Sequence, residues 1–288
     1  MTFKSSCLNF KEINLKMLIV RIVGGLGNQM YGYALYRALL ERGRDVVMDL
    51  YFFGQKRSPI LDKRKFELES VFKVNGKYLN RVQEFFIDKA RRLHLINLYK
   101  DRGREGDFFP EMLNHEKGIY DGYWQSFKYI SGIEDKIRDA FTFRQQIDER
   151  EQNILAKIKS CNSVSVSVRR GDYVNLKCDM PKEYYTTAIK YIRERVSDAK
   201  FFFTSDDIEW CKKNFAGNPD FEFVEKSNPD DRFDLCVISE CKHDIIANST
   251  FSVWGAWLNK NPNKITIRPD FWPERKDFWP EDWICLKI

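Results

Sequence analysis

The chain reads as an α/β protein of two Rossmann-like domains facing across a cleft, and three features predict it. Between residues 17 and 50 a buried-strand pattern, a glycine turn, a helical pattern and a second strand follow one another. Strand and helix patterns alternate again from 163 to 267. The length of 288 residues suits about two domains. At 43% apolar and 31% charged residues the composition is that of an ordinary folded protein. No run approaches the ~18 apolar residues of a membrane span.

Taken in order, residues 1–16 are a polar extension without the apolar stretch of a secretory signal. Met17-Leu18-Ile19-Val20-Arg21-Ile22-Val23 is an apolar run, as a strand covered on both faces carries. Gly24 and Gly25 end it. A helix starts near Asn28, places Met30, Ala34, Leu35, Ala38 and Leu39 at helical spacing, and stops before Gly43. Val46-Val47-Met48-Asp49-Leu50 is the second strand. This βαβ unit sets its first turn at the carboxyl end of a parallel sheet, where ligands bind in such folds.

The stretch 62–150 is less regular, with helices expected over 82–98 and 132–141. The aromatic and amide segment Gly122-Tyr123-Trp124-Gln125-Ser126 lies between them. Further on, strands are expected over 163–168, 201–203, 221–224, 244–247 and 265–267. Helices over 181–196, 208–215, 231–241 and 251–258 connect them, the first with Pro181 in its opening turn. The expected division is an extension 1–16, a domain 17–150, and a domain 151–288 that ends in a C-terminal strap.

Forty-eight basic against 42 acidic residues leave a net charge of +6. That surplus suits an anionic ligand or a passing association with anionic lipid. Without an arginine-rich arm, nucleic acid is not an expected partner. Lys89, Arg91 and Arg92, the densest basic stretch, read as a solvated helix face. Seven cysteines without a CxxC pair read as reduced thiols of a cytosolic-type compartment. Three scattered histidines argue against a histidine zinc site.

Three turns carry candidate chemistry. In Gly24-Gly25-Leu26-Gly27-Asn28-Gln29, Gly25 and Gly27 let backbone approach a ligand, and Asn28-Gln29 bring two amides to a helix start. Asp49 and the first two glycines fit a dinucleotide fingerprint, but Met30 is too bulky for its third small residue. A bare tight turn is the plain alternative.

In Ser167-Val168-Arg169-Arg170-Gly171-Asp172-Tyr173, period two puts Ser163, Ser165, Ser167 and Arg169 on one face. Val164, Val166, Val168 and Arg170 take the other. If the strand persists that far, only one arginine faces a ligand, matching a phosphate with its fork, while the other braces the strand-to-loop turn. Asn248, Ser249 and Thr250 between a strand and a helix either cap the helix or hold a phosphate. Asp206, at a strand end, and Asp234, on a helix, suit a nucleotide; a carboxylate can choose guanine, and a solvated helix carboxylate is the plain alternative. The chain has no Asp-x-Asp triplet at a strand end to clamp a metal-bound pyrophosphate.

From about Met17 to Asn259 these motifs resemble the inverting alpha-1,2-fucosyltransferase family, of the glycosyltransferase family 11 type, which transfers fucose from GDP-fucose. The resemblance rests on Gly24-Gly25-Leu26-Gly27-Asn28-Gln29-Met30, Gly122-Tyr123-Trp124-Gln125-Ser126 and Val168-Arg169-Arg170-Gly171-Asp172-Tyr173. It rests equally on Ser205-Asp206-Asp207-Ile208-Glu209-Trp210 and on the stretch from Cys241 through Asn248-Ser249-Thr250-Phe251-Ser252.

The resemblance implies a GT-B fold, an acceptor-side N-terminal domain and a GDP-fucose-binding C-terminal domain. It also implies a donor substrate in place of any cofactor, no metal, and a galactose-containing oligosaccharide or lipid-linked glycan as acceptor. Arg169 would meet the GDP β-phosphate, Asp234 the guanine, and Ser249 and Thr250 the phosphates. Gly25, Gly27, Asn28, Gln29, Ser167, Asp206 and Asn248 complete the donor-side set. Ser167 stands where the family usually has histidine.

Arg169, Asp172 and Asn28 are the catalytic candidates, with Arg170 as brace. The base is either Asp172, which also suits a brace for Arg170, or the leaving phosphate itself. Tyr123, Trp124 and Gln125 are assigned to the acceptor, with burial as core aromatics the alternative for Tyr123 and Trp124. Animal members often carry a membrane anchor; this chain shows none, so a bacterial enzyme of surface-polysaccharide synthesis is expected. Its expected location is the cytoplasm, peripheral at most on the inner membrane face. A non-catalytic sugar-nucleotide or glycan-binding protein of the same fold is the alternative.

Overall fold

The computed structural model describes residues 17–54, 64–144, 148–226, 232–272 and 274–287. The expected extension 1–16 lies outside them. The chain divides into two compact units. The first takes the described residues up to Glu69, then Lys73–Thr142 and Arg275–Phe278; the second takes Ser70–Phe72, Phe143–Glu274 and Trp279–Ile288. Sequence patterning put the junction at 150/151. The units part earlier because the helix Glu149–Ser160 packs Ile154, Leu155 and Ile158 into the core of the second.

The first unit holds four parallel strands, β1 (Leu18–Arg21), β2 (Val46–Asp49), β3 (Leu98–Tyr99) and β4 (Gly118–Tyr120), in the order β2-β1-β4-β3. Central β1 is buried at every position, Leu18, Ile19 and Val20 as apolar side chains and Arg21 through its ion pair with Asp49 on β2. The helix Leu26–Glu41 starts two residues ahead of Asn28 and closes at Gly43, which takes φ +73°. The helix Arg81–Arg92 opens on a capping box between Asn80 and Gln83. It seats Ile87 among Ile19, Val47, Leu79 and Ile119. Patterning carried this helix to residue 98. It stops at Arg92 because Leu93 and His94 turn the chain, His94 at φ +55°, and Leu98–Tyr99 pairs with β4 instead.

Six parallel strands form the second sheet: β5 (Asn162–Val168), β6 (Ala199–Ser205), β7 (Phe221–Phe223), β8 (His243–Ile245), β9 (Thr266–Pro269) and β10 (Ile284–Leu286). Their order is β10-β9-β8-β5-β6-β7. Patterning predicted five of them; β10 lies in the stretch expected as a C-terminal strap. Val164, Val166 and Val168 pack with Tyr184, Tyr185 and Ile192 of the helix Lys182–Arg193. Phe202 and Val224 pack with Ile158 and with Phe233 and Val237 of the helix Arg232–Glu240. Each such side chain contributes about 1.5–3 kcal/mol on full burial. Gly255 sits where a Cβ would come within 2.6 Å of Ile238, which lets the helix Thr250–Leu258 approach Arg232–Glu240 closely.

In each sheet the chain runs outward from a central strand to one side and later builds on the other. The order reverses between β1 and β4 in the first sheet and between β5 and β8 in the second. Ligands in parallel α/β sheets bind outside the carboxyl ends of strands at such switch points.

Candidate active site

At the second unit's switch point, β5 delivers Arg169 and Arg170, β6 delivers Asp206 and Asp207, and β8 leads into Asn248 and Ser249. β5 ends at Val168, short of both arginines, and they take separate sets of partners. Arg170 lies 4.2 Å from the centre of the Trp210 ring and donates to Asp207 Oδ2 at 3.1 Å and to Asp179 Oδ2 at 2.9 Å. Its side chain is only 16% exposed. That is a brace.

Arg169 lies over the Tyr173 ring, 5.3 Å from its centre, with Nη1 2.9 Å from Asp206 Oδ2 and Nη2 hydrogen-bonded to Asp172. Its side chain keeps 24% of its surface open. Burial alone would weaken its charge, but Asp206 and Asp172 outweigh that and raise its pKa above the ordinary arginine value. Asp172 therefore holds Arg169, where the sequence offered it as a brace for Arg170. The cause is the short helix Gly171–Asn175, which brings Asp172 round to Arg169 at i,i+3. Asp206 also accepts the Arg170 backbone N–H at 2.8 Å, and a Cβ at Gly171 would come within 2.5 Å of its carboxylate. A side chain there would have to displace that carboxylate from Arg169 and from the Arg170 N–H.

Ser249 caps the helix Thr250–Leu258 by accepting the Phe251 N–H at 3.3 Å, and half-buried Thr250 is its first residue. Tyr173 donates its hydroxyl to the Asn248 carbonyl at 3.3 Å, joining the β5 and β8 loops. Asn248 is wholly buried and donates to the Cys178 carbonyl at 2.8 Å. Its Oδ1 has no partner among the described residues. Ser167 is buried at the end of β5. Asp234 is buried on its helix, with Lys226 Nζ 2.7 Å from its Oδ2. Among the described residues no three His, Cys, Asp or Glu side chains gather as a metal site.

The first unit's switch point joins the glycine turn after β1 to the segment after β4. Gln125 donates to Asn28 Oδ1 at 2.9 Å, and Arg275 donates to Gln125 Oε1 at 2.9 Å. Gly24 takes φ +76°, and the guanidinium of Arg64 lies against Gly25. Gln29 does not face a ligand. Wholly buried, it donates to the carbonyls of Gly24 and Lys65 and accepts the Glu67 N–H, so its two N–H groups are already engaged. Gly27 is buried in the first helical turn.

Tyr123 is partly exposed, but Trp124 is 1% exposed and meets Tyr120 edge-on at 5.4 Å, so the core alternative holds for Trp124. Patterning missed the residue that shapes this segment. Asp101, just past β3, accepts the N–H groups of Tyr123 and Trp124, and Gly122 approaches it too closely for any side chain. Burial pushes its carboxyl up to about 6. A strand of two residues leaves no periodicity to reveal it.

The profile of glycosyl transferase family 11 matches residues 7–285. An alpha-1,2-colitosyltransferase of Escherichia coli is 34% identical, over 91% of this chain and 94% of its own. The O-antigen biosynthesis glycosyltransferase WbnK of Escherichia coli is 30% identical, over 86% and 92%. The galactoside 2-alpha-L-fucosyltransferase Sec1 of Mus musculus is 28% identical, over 84% of this chain and 64% of its own. Among solved structures, the fucosyltransferase NodZ from Bradyrhizobium shares the fold with a TM-score of 0.56 at 17% identity, over 84% of this chain and 91% of its own.

Proposed function

The chain belongs to glycosyl transferase family 11, and from that premise we propose that it moves L-fucose from GDP-fucose to the 2-hydroxyl of a β-galactoside, with inversion. The proposed product is part of a bacterial surface polysaccharide such as an O-antigen. One observation carries the mechanism: a partly open, doubly anchored Arg169 over Tyr173, whose hydroxyl reaches the Asn248 carbonyl in the loop that opens the helix Thr250–Leu258, at a switch point.

The acceptor oxygen attacks the anomeric carbon from the face opposite GDP. The new C–O bond forms as the bond to the β-phosphate breaks, and the electron pair stays on the phosphate. Negative charge therefore grows where Arg169 and the first-turn N–H groups point. At 4 Å and an effective dielectric of 20, one guanidinium is worth about 4 kcal/mol to that charge. Asp172 is committed to Arg169, so we assign it to positioning; the acceptor proton, on the face opposite the departing phosphate, goes to solvent as the new C–O bond forms. No metal enters this scheme. Asn28, tied to Gln125, orients the sugar, and Tyr123 offers the acceptor a ring. The cysteines among the described residues are free thiols, which supports a reducing, cytoplasmic setting.

Colitose, which lacks the 3-hydroxyl of fucose, is the second donor to consider, because the colitosyltransferase is 34% identical over nearly the whole chain. The deciding experiment measures GDP release from GDP-fucose and from GDP-colitose across a panel of galactosides, with and without EDTA. The proposal expects release that needs a β-galactoside and survives EDTA. Thermal protection by GDP with no release from either donor would leave a binding protein.

A further inference from the structure

Trp124 is a bulky aromatic residue at φ +54°, in the left-handed region that glycine favours. Such a costly conformation persists only where its surroundings fix it, and residues of this kind gather at ligand clamps. Asp101 accepts the Tyr123 N–H with both carboxylate oxygens, at 3.1 and 3.0 Å, and the Trp124 N–H with Oδ2 at 2.5 Å. The Glu105 carbonyl accepts the Gln125 N–H at 2.8 Å. Consecutive N–H groups of Tyr123, Trp124 and Gln125 are thus all held by the loop that follows β3. The Trp124 ring is buried edge-on to Tyr120 and Tyr129. With Trp124 turned into the core, Tyr123 stays 37% exposed and Gln125 reaches Asn28 Oδ1 at 2.9 Å. Asp101 is itself buried, so it acts through this segment and not on a substrate.

We propose that Asp101 is a positioning residue for the acceptor: it holds Gly122–Gln125 in the one backbone conformation that presents Tyr123, and Asn28 through Gln125, to the galactoside. The inference rests on the acceptor-side roles given above to Tyr123 and Asn28. A carboxylate suits the task because it only accepts, whereas an amide in its place turns an NH2 group towards an N–H. Gly122 meets the same demand from the other side, since a Cβ there would come within 2.0 Å of Asp101 Oδ1. A brace that served stability alone would lower the melting temperature when removed and leave the folded molecules with their full affinity for the galactoside.

The test combines titration calorimetry of a panel of β-galactosides, with GDP present, and initial rates of GDP release. It compares the full wild-type chain with Asp101→Asn, Gly122→Ala and the double variant. Asp101→Asn should weaken galactoside binding and raise the galactoside KM about tenfold, as if a tenth of the molecules held the segment ready. Its affinity for GDP, and its kcat at saturating galactoside, should stay within about twofold of wild type. Gly122→Ala should act in the same way, and the double variant should do little more than either single change, because both disturb one contact. Variants that melt lower yet bind the galactoside like the wild type overturn the proposal. So does a loss of GDP affinity as large as the loss of galactoside affinity. If the wild type binds the galactoside but releases no GDP, the transfer reading fails, and the binding series alone upholds or overturns the role of Asp101. A wild type that neither binds any galactoside nor releases GDP overturns both.

Discussion

Gln125 and Asn28 are 97 positions apart, yet the Gln125 amide donates to Asn28 Oδ1 at 2.9 Å and joins the two loops of the first switch point. Arg275 on Gln125 Oε1 settles which end of the amide faces Asn28. Asn28 is thereby held in one rotamer beside the glycine turn. Replacing it by Ala removes one hydrogen bond, about 1 kcal/mol. The melting temperature should drop by only about 2–4 °C in a chain of this size. Turnover in the GDP-release assay should fall further, by about 10- to 100-fold, because a positioned group is lost. Equal turnover would place sugar orientation on another residue.

Arg169 and Arg170 are adjacent and each holds two carboxylates, so both replacements should lower the melting temperature, and turnover should separate them. Arg169→Ala should in addition cut turnover by about 10²- to 10³-fold, the loss expected when one preorganised donor leaves a developing oxyanion. Arg169→Lys should also be poor, since a point charge cannot bridge the phosphate and Asp206. Arg170→Ala strands the carboxylates of Asp179 and Asp207 and uncovers Trp210. It should cost about 1–3 kcal/mol and appear first as a lowered melting temperature. A tenfold or smaller loss in Arg169→Ala would show that the charge is met elsewhere.

The alternation of β5 was legible over its seven residues, but the strand ends at Val168, so the period does not itself carry on to Arg169 and Arg170. β1 was legible from its three consecutive apolar residues Leu18, Ile19 and Val20. Strands β3, β4 and β10 are two or three residues long and lie outside the regular strand–helix alternation that made the equally short β7 and β8 legible. Side-chain partnerships were less visible still. Gln29 looks like a ligand amide in sequence, and only the fold shows that backbone from Lys65 and Glu67 encloses it. Asp172 could be placed near the arginines, but choosing between them required the helical turn at Gly171–Asn175. Asp101 serves a loop more than twenty positions later, a relation that no local pattern encodes.

Asp244 and Asp101 should make stability fall as pH rises. Burial pushes both carboxyls up to about 6, although Ser165 donates to Asp244 and two backbone N–H groups to Asp101. The unfolded chain binds the same protons with a pKa near ~3.9. Such an acid stabilises the fold fully below about pH 4, and that contribution is lost as pH climbs through 6. Each group accounts for on the order of 2–3 kcal/mol. Surface carboxylates such as Glu41 and Asp220, which ion pairs hold low, act in the opposite sense. The informative measurement is therefore a difference: urea unfolding of wild type and Asp244→Asn at pH 4.5 and pH 7. The variant should lose more stability relative to wild type at the lower pH. An equal loss at both would show that Asp244 ionises normally.

Asp234 is buried on the helix Arg232–Glu240, and Lys226, after β7, lies 2.7 Å from its Oδ2. A buried carboxylate needs such a partner. The N1–H and amino group of guanine would be equally suitable ones, so base binding would exchange one partner for another rather than fill an empty acceptor. Asp234→Ala should then raise KM for GDP-fucose about tenfold or more, the worth of a charge-assisted hydrogen bond, with kcat changed far less because the reacting atoms are elsewhere. Lys226→Met should change KM in the opposite direction, since it removes the competitor and leaves the carboxylate in need of a donor. Initial rates over a range of GDP-fucose concentrations separate the two parameters. If kcat drops in Asp234→Ala while KM holds, this aspartate supports the phosphate site and the base is recognised elsewhere.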